Sequence, residues 1–423
     1  MPDLIKNILK QCGINPKNNN LFKPILYTSF MLIGLVGKPN VGKSTFFKAC
    51  TLANVLIANY PFATIKPNHG IAYVKIDCID KEFNVTCNPN KGYCINNKRF
   101  VPVELMDVAG LIEGSSEGKG LGNQFLDNLA SADALIHVVD ISGETNSEGK
   151  ETKNYDPLND VKMLENELDL WYLAVLKKSW RTLSRNAQTT KEDFTKVIAK
   201  QFSGLKVNEN HIKEVVRKNN FNIEKLNSWT DENLKKFVHE LRHLTKPMII
   251  AANKIDKDNS KRNLDDLKKV YPTLIIIPCS ADYELALREA SKSNLIDYIS
   301  GESNFIIKSN LNEKQKLALG NIKKILDVYS STGVQEILNK TVFQLLKYIA
   351  IFPASANKLS DSKGNILPDC FLLPPESTAL DFAYTIHTDL GKNFIKAIDA
   401  RTKKILGKDY KLRNRDALEI VTR

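Results

Sequence analysis

No uninterrupted apolar stretch in this 423-residue sequence approaches the roughly 18 residues that a membrane-spanning helix needs. A compact apolar segment followed by an A-x-A-like cleavage site is missing as well, which argues against a secretory signal. Cysteine is sparse for the size: seven residues in 47.6 kDa do not build a disulfide framework. Acidic residues are scarce at the start, where Lys6, Lys10, Lys17 and Lys23 face Asp3 alone and Asn18-Asn19-Asn20 follows no pattern. Residues 1–30 therefore read as an extension, either a flexible basic arm or the product of an upstream start codon, ahead of Met31. What remains is ordinary for a soluble globular chain, with 43% hydrophobic and 26% charged residues and room for two or three domains. The net charge of +12 suggests an acidic partner, a lysine-rich proteome being the bland alternative.

Against that background one stretch stands out. Gly37 to Thr45 reads GKPNVGKST and satisfies G-x-x-x-x-G-K-[ST]. The apolar run Leu32-Ile33-Gly34-Leu35-Val36 precedes it, and Phe46 to Leu52 follows with helical spacing. Strand, glycine-rich turn and helix are the context that makes this pattern a phosphate cradle. Asn40, Val41, Gly42, Lys43, Ser44 and Thr45 would turn backbone N–H groups inward at a helix N-terminus. Lys43 is expected to reach the β/γ-phosphates, and Ser44 to offer its hydroxyl to Mg²⁺.

Three further motifs follow in the order a GTPase requires. Val103-Glu104-Leu105-Met106 looks like a buried strand and ends in Asp107-Val108-Ala109-Gly110. Asp107 would hold Mg²⁺ through water, and the Gly110 N–H would sense the γ-phosphate. Pro247 to Ala252 runs into Asn253-Lys254-Ile255-Asp256. Asp256 can accept from both the N1–H and the N2–H₂ of guanine, a paired contact adenine cannot make. Asn253 is expected at the opposite base edge, with the stem of Lys254 over the ring. Leu274 to Ala281 reads as one more buried strand, ending in a Ser280-Ala281 loop suited to the guanine oxygen. Each of the shorter motifs occurs by chance; four in order, each at a strand end, do not.

Asn59 to Asn68, NYPFATIKPN, resembles the first switch of the Obg-like GTPases, and Glu117 to Leu126, EGKGLGNQFL, resembles their second. The chain is similar to the YchF/Ola-type branch over residues 31 to 423. The resemblance implies an α/β P-loop NTPase with a Ras-like G domain and a mostly parallel sheet, interrupted by a coiled-coil-like helical insert. It also implies Mg²⁺ as cofactor, GTP as substrate and cytoplasmic work as a monomer, off the membrane and associated with RNA or the ribosome. The best-known members of that branch have a degenerate base-recognition motif and prefer ATP, whereas this chain keeps the full N-K-x-D. Thr64 is assigned to Mg²⁺ in the triphosphate state, a plain strand-edge threonine being the alternative. Leu111 stands where Ras-like enzymes carry the glutamine that orients water, so slow intrinsic hydrolysis is expected. Some related GTPases use an asparagine at the place of Asn40 to hold K⁺, which makes K⁺ stimulation an expectation too.

The G domain is expected over 31–155 and 246–343, the latter including a helical connector, with the helical insert at 156–245. In the insert Leu164, Leu168, Trp171, Tyr172 and Val175, and later Leu234, Phe237, Val238 and Leu241, recur at helical spacing. Thr230 is a candidate cap, and Arg181, Arg185, Lys191, Lys196, Lys200 and Lys206 make the insert basic. His137, inside the strand-like run Asp133 to Asp140, reads as a packed residue. Leu311 to Leu346 reads as helix. Residues 344–423 resemble a TGS domain, a small β-grasp module, above all at His387-Thr388-Asp389-Leu390-Gly391; their basic excess suits docking to RNA or simple solubility. Cys78, Cys87 and Cys94 are spaced C-x₈-C-x₆-C and lack the close pair usual for structural zinc. Free thiols are the leading reading there, with zinc (His69 a conceivable fourth ligand) and a redox bridge as alternatives.

Overall fold

In the computed structural model, β1 (Leu32–Val36) is buried along its whole length, as an apolar run covered on both faces of a parallel sheet must be. The structure describes residues 31–52, 68–108, 110, 114, 129–189, 193–355, 359–361 and 364–423. After α1 (Lys43–Thr51) come β2 (His69–Asp77), β3 (Tyr93–Ile95), β4 (Lys98–Asp107) and β5 (Ala134–Asp140). Helices α2 (Leu158–Thr189), α3 (Phe194–Gln201), α4 (Glu209–Asn219) and α5 (Asp231–Thr245) lead back to β6 (Met248–Asn253). Then follow α6 (Ser260–Val270), β7 (Ile276–Pro278) and α7 (Ala281–Lys292). The sheet runs β2-β4-β1-β5-β6-β7, parallel from β4 to β7, with β2 antiparallel to β4 and β3 on the same partner. β1 is flanked by β4 and β5, so the turn that leaves its C-terminal end opens at the point where the strand order reverses.

Two strands differ in length from the sequence reading. β4 extends back to Lys98 because its first half pairs with both β2 and β3, beyond the apolar run that marks its core half. β7 shrinks to three residues at the sheet edge, ending in Pro278, which has no N–H for a further ladder bond.

The helical insert contains the expected pair and more. α2 and α5 pack together, with Tyr172 and Thr245 hydroxyls 2.9 Å apart. The two shorter helices α3 and α4 complete a separate core with them, around Tyr172, Ile198, Phe202, Phe237 and Leu241. Short helices carry too few turns for periodicity to reveal them. Thr230 caps α5 in a capping box with Asn233.

Past the short pair β8 (Ile296–Asp297) and β9 (Ile306–Ile307), the connector breaks into α8 (Glu313–Tyr329) and α9 (Val334–Lys340). Ser330 and Gly333 both adopt positive φ at the break. A Cβ on Gly333 would lie 2.0 Å from the Pro278 carbonyl oxygen, so close approach to the sheet edge forces the interruption.

The last unit comprises β10 (Ile349–Pro353), β11 (Phe371–Leu373), α10 (Ala379–Ile386), α11 (Thr388–Lys392), β12 (Phe394–Asp399), β13 (Ile405–Leu406) and β14 (Ala417–Thr422). Its sheet order is β11-β10-β14-β12-β13, with a parallel central pair flanked by antiparallel strands. Phe382 of α10 packs on Ile351, Leu373 and Leu418, and Thr378 caps the helix with Asp381 in a capping box. His387 ends α10 and accepts from Asp389 N–H to start α11, while Gly391 lies so close to Tyr384 that a Cβ would meet the ring at 2.3 Å.

Candidate functional site

The turn between β1 and α1 is held open by two glycines that no other residue could replace without displacement. Gly37 has φ 144°, and a Cβ there would sit 2.4 Å from the Val138 carbonyl oxygen. Gly42 has φ 96° and precedes α1; a Cβ would meet Asn253 Nδ2 at 2.4 Å. Lys43 begins the helix and folds back over the turn, donating to the carbonyls of Gly37 (3.0 Å) and Lys38 (2.7 Å). Burial pushes its amine down to about 8, with the Asp107 carboxylate pulling the other way. Ser44, one residue on, is exposed and donates from Oγ to Asp107 Oδ2 at 2.9 Å. These are hard oxygen donors beside a phosphate-sized cradle, which suits Mg²⁺. Thr45 is half-buried behind them, and Val41 is fully buried.

Gly110 lies against the same turn, where a Cβ would come within 2.9 Å of Pro39 N. Thr64, Leu111 and most of both switch segments lie outside the described residues. Lys191 does as well.

The base-recognition residues are held by contacts that the sequence did not show. Asn253 is buried and faces inward: its Nδ2 donates to the Val41 carbonyl (2.8 Å), and its Oδ1 accepts from Ala281 N–H (3.0 Å). It ties the phosphate turn to the Ser280-Ala281 segment. Ser280 caps α7 by accepting from Tyr283 N–H (3.4 Å), with its own N–H bonded to Thr332. Lys254, at φ 65°, pairs through Nζ with Asp140 Oδ2 at 2.7 Å. Asp256 is half-exposed at the start of the following loop.

Sequence reasoning missed a second layer. Asp140, fully buried at the end of β5, accepts from Ser142 Oγ (2.5 Å), Thr145 Oγ1 (2.7 Å) and Lys254. Burial alone would raise its carboxyl, but these donors more than offset it and hold it below its ordinary value. Lys38, inside the phosphate motif, is buried with Nζ 2.9 Å from Asp160, 2.7 Å from the Thr145 carbonyl and 4.0 Å from the Tyr155 ring centre. Asn40 Nδ2 donates to the Gly149 carbonyl at 3.0 Å. The polar stretch after β5 thus folds onto the phosphate turn as its outer wall. Gly149, at φ 78° and with Pro39 O only 2.6 Å from its Cβ position, was the available signal. His137 is fully buried with neither ring nitrogen hydrogen-bonded among the described residues; burial, with Lys43 and Lys38 nearby, pushes it down to about 3, so it is a neutral packed ring.

This fold and turn define a P-loop GTP-binding protein with an appended β-grasp module. Family models agree in each part: "50S ribosome-binding GTPase" over residues 32–178, "Obg-like GTPase YGR210-like, G4 motif-containing domain" over 251–355, and the TGS domain over 363–422. The chain is 48% identical over 392 residues to a GTP-binding protein of Methanocaldococcus jannaschii, covering 92% of this chain and 99% of that one. It is 30% identical over 377 residues to the ribosome-binding ATPase YchF of Buchnera aphidicola, covering 86% of each. A GTP-binding protein from Pyrococcus horikoshii superposes with a TM-score of 0.74 at 39% identity, over 93% of this chain and 100% of that one. The chain belongs to the YchF-type branch of the Obg-like GTPases. Among the described residues no helix is long and apolar enough to cross a membrane.

Proposed function

We propose that the protein is a GTP-hydrolysing molecular switch that works in the cytoplasm on the ribosome or its RNA. The observation that carries this reading is the rigid frame around Asn253. One buried amide, three residues before Asp256, binds the phosphate turn and the Ser280-Ala281 segment at once. A carboxylate so placed reads guanine by the paired N1–H and N2–H₂ donors. In this reading Lys43 would hold the β/γ-phosphates, Ser44 and Asp107 with Thr64 would hold Mg²⁺, and the Gly110 N–H would face the γ-phosphate. The bound ion supplies charge neutralisation of the phosphates; the chain supplies orientation.

The basic surface favours an RNA partner, in reduced form. Lys392, Lys404 and Lys408 of the TGS domain are exposed. Arg401 and Arg415, however, both pair with Glu82 of the G domain, and Lys206 pairs with Asp133. Those three contribute to internal structure, which trims the basic excess counted in the sequence. A second reading, a nucleotide-dependent binding protein that accepts ATP with incidental hydrolysis, draws on the ATPase name of the Buchnera relative.

Affinity measurements with GDP, GTP and ATP separate the two, followed by turnover with and without ribosomal particles. The switch reading expects guanine preference of at least about 100-fold, nucleotide-dependent co-sedimentation and stimulated hydrolysis. Equal affinity for ATP, or ribosome-independent turnover, favours the second. Potassium is tested in the same assay. Hydrolysis should be several-fold faster in potassium than in sodium if Asn40 turns from Gly149 to a monovalent ion; equal rates exclude that role.

A further inference from the structure

Three cysteines that the sequence spaces apart converge beneath the TGS domain. Cys78 directly follows β2, Cys94 lies in β3, and Cys87 sits between them. Their sulfurs and one oxygen of Asp80 all lie within 4.8 Å of one another. Cys78 Sγ is 3.7 Å from Cys87 Sγ, and Cys94 Sγ is 3.8 Å from Asp80 Oδ2. Ligands on a tetrahedron around zinc, at about 2.3 Å per Zn–S bond, stand roughly 3.8 Å apart. Two edges of the cluster therefore already have about that length, and the others are no longer than 4.8 Å. The three thiols are free, and the sulfur separation is far from that of a disulfide.

Asp80 behaves as an aimed ligand. It is 2% exposed, and its Oδ1 accepts from Lys81 N–H (2.8 Å) and Asn97 Nδ2 (3.2 Å), which leaves Oδ2 turned to the sulfurs. Outer hydrogen bonds of this kind fix ligating carboxylates at metal centres. Among the described residues no lysine, arginine or histidine forms an ion pair with Asp80, so its buried charge has no counter-ion in direct contact. The buried Arg99 is the cross-strand partner of Cys94 in the β3–β4 pair. It would offset part of the negative charge that three thiolates and a carboxylate leave around a divalent ion.

We propose that Cys78, Asp80, Cys87 and Cys94 form a structural zinc site that fastens the β2–β4 insert under the TGS domain. Four protein ligands leave no open position, which fits a structural and not a catalytic role. The insert needs such a fastening. Its regular structure amounts to a single 3₁₀ turn (Asp80–Phe83) and the three-residue β3. Yet Cys78, Ile79 and Cys87 form the floor on which Phe352, Leu367 and Ala417 of the TGS domain pack. Small segments without a core of their own depend on metals or crosslinks of this kind. His69, the fourth ligand considered from the sequence, is excluded: it lies at the other end of β2, paired with Glu104 at 2.6 Å. The missing close cysteine pair is made up for by β3, which returns along the other edge of β4, level with the end of β2.

The test is the metal content of the untagged full-length chain, purified without chelator or added zinc. About one zinc per chain is expected, with less than about a tenth remaining in Cys87→Ser and Asp80→Ala, while Cys12→Ser, outside the described residues, keeps it. Should those variants fold poorly, the wild-type chain alone decides. Cobalt exchange should give thiolate-to-cobalt charge transfer and intense tetrahedral d–d bands, and chelation should lower the melting temperature reversibly. A zinc-free native chain whose melting ignores added zinc overturns the proposal. So does a Cys78–Cys87 disulfide found by mass mapping, or zinc retained in Cys87→Ser.

Discussion

Lys43→Ala should weaken GTP binding by about 100-fold or more, with a smaller loss for GDP. The amine is buried against the carbonyls of Gly37 and Lys38, so it is already positioned over the place a phosphate would occupy. Replacing it removes one charge-assisted donor from two phosphates and leaves those carbonyls without their partner. Each such contact is worth roughly 1.5–3 kcal/mol, and the triphosphate uses it more fully than the diphosphate. The pH dependence follows from the same geometry. Burial brings the free protein's Lys43 to about 8, and phosphate charge raises it on binding. Binding therefore takes up a proton once the pH exceeds that value, and affinity falls as pH rises through it, with little change below. Titration calorimetry across that range reads both effects. Undiminished GTP affinity in the alanine variant would remove the phosphate-cradle assignment.

Asp256→Asn should cost about 100- to 1,000-fold in GTP affinity and bring xanthosine triphosphate to parity or better. The carboxylate accepts twice from guanine; an amide accepts once and donates once. Xanthine carries a carbonyl where guanine carries the amino group, so the amide's N–H finds its acceptor there. Asn253 fixes the loop from below through Val41 and Ala281, and it is untouched by the change. The fold of the site should therefore survive and the specificity move. Competition between the two nucleotides on the purified variant decides it, and persistent GTP selectivity would contradict the base-reading role of Asp256.

Much of this molecule could be read from its residues because its signals are local. A phosphate turn needs glycine at fixed offsets, and a buried parallel strand needs an apolar run; Leu32 to Thr45 has both. Thr230 and Thr378 cap helices through the residue three positions on, which is visible in the chain itself. What escaped was set by contacts between distant residues. Asn253 also acts as an internal brace, which nothing in N-K-x-D announces. Lys38 hid in a variable position of the motif, and its partner Asp160 lies in a helix far along the chain. The helix expected across Leu311 to Leu346 breaks because Gly333 must pass close to Pro278. The cysteine cluster was judged by spacing, whereas antiparallel return of a strand erases sequence distance.

The long ribbon of β2 and β4 joins the two ends of this protein in one piece. Paired from His69–Met106 to Asp77–Lys98, it spans roughly 27 Å at the usual rise per residue. Asp107 terminates one end; at the other, Arg99 reaches the carbonyls of Leu367 and Pro368 across the boundary. A tilt of the TGS domain against the ribbon would cost that guanidinium its two acceptors. The TGS domain thus rests on the same ribbon that carries Asp107 at its far end, as a rudder rests on its shaft.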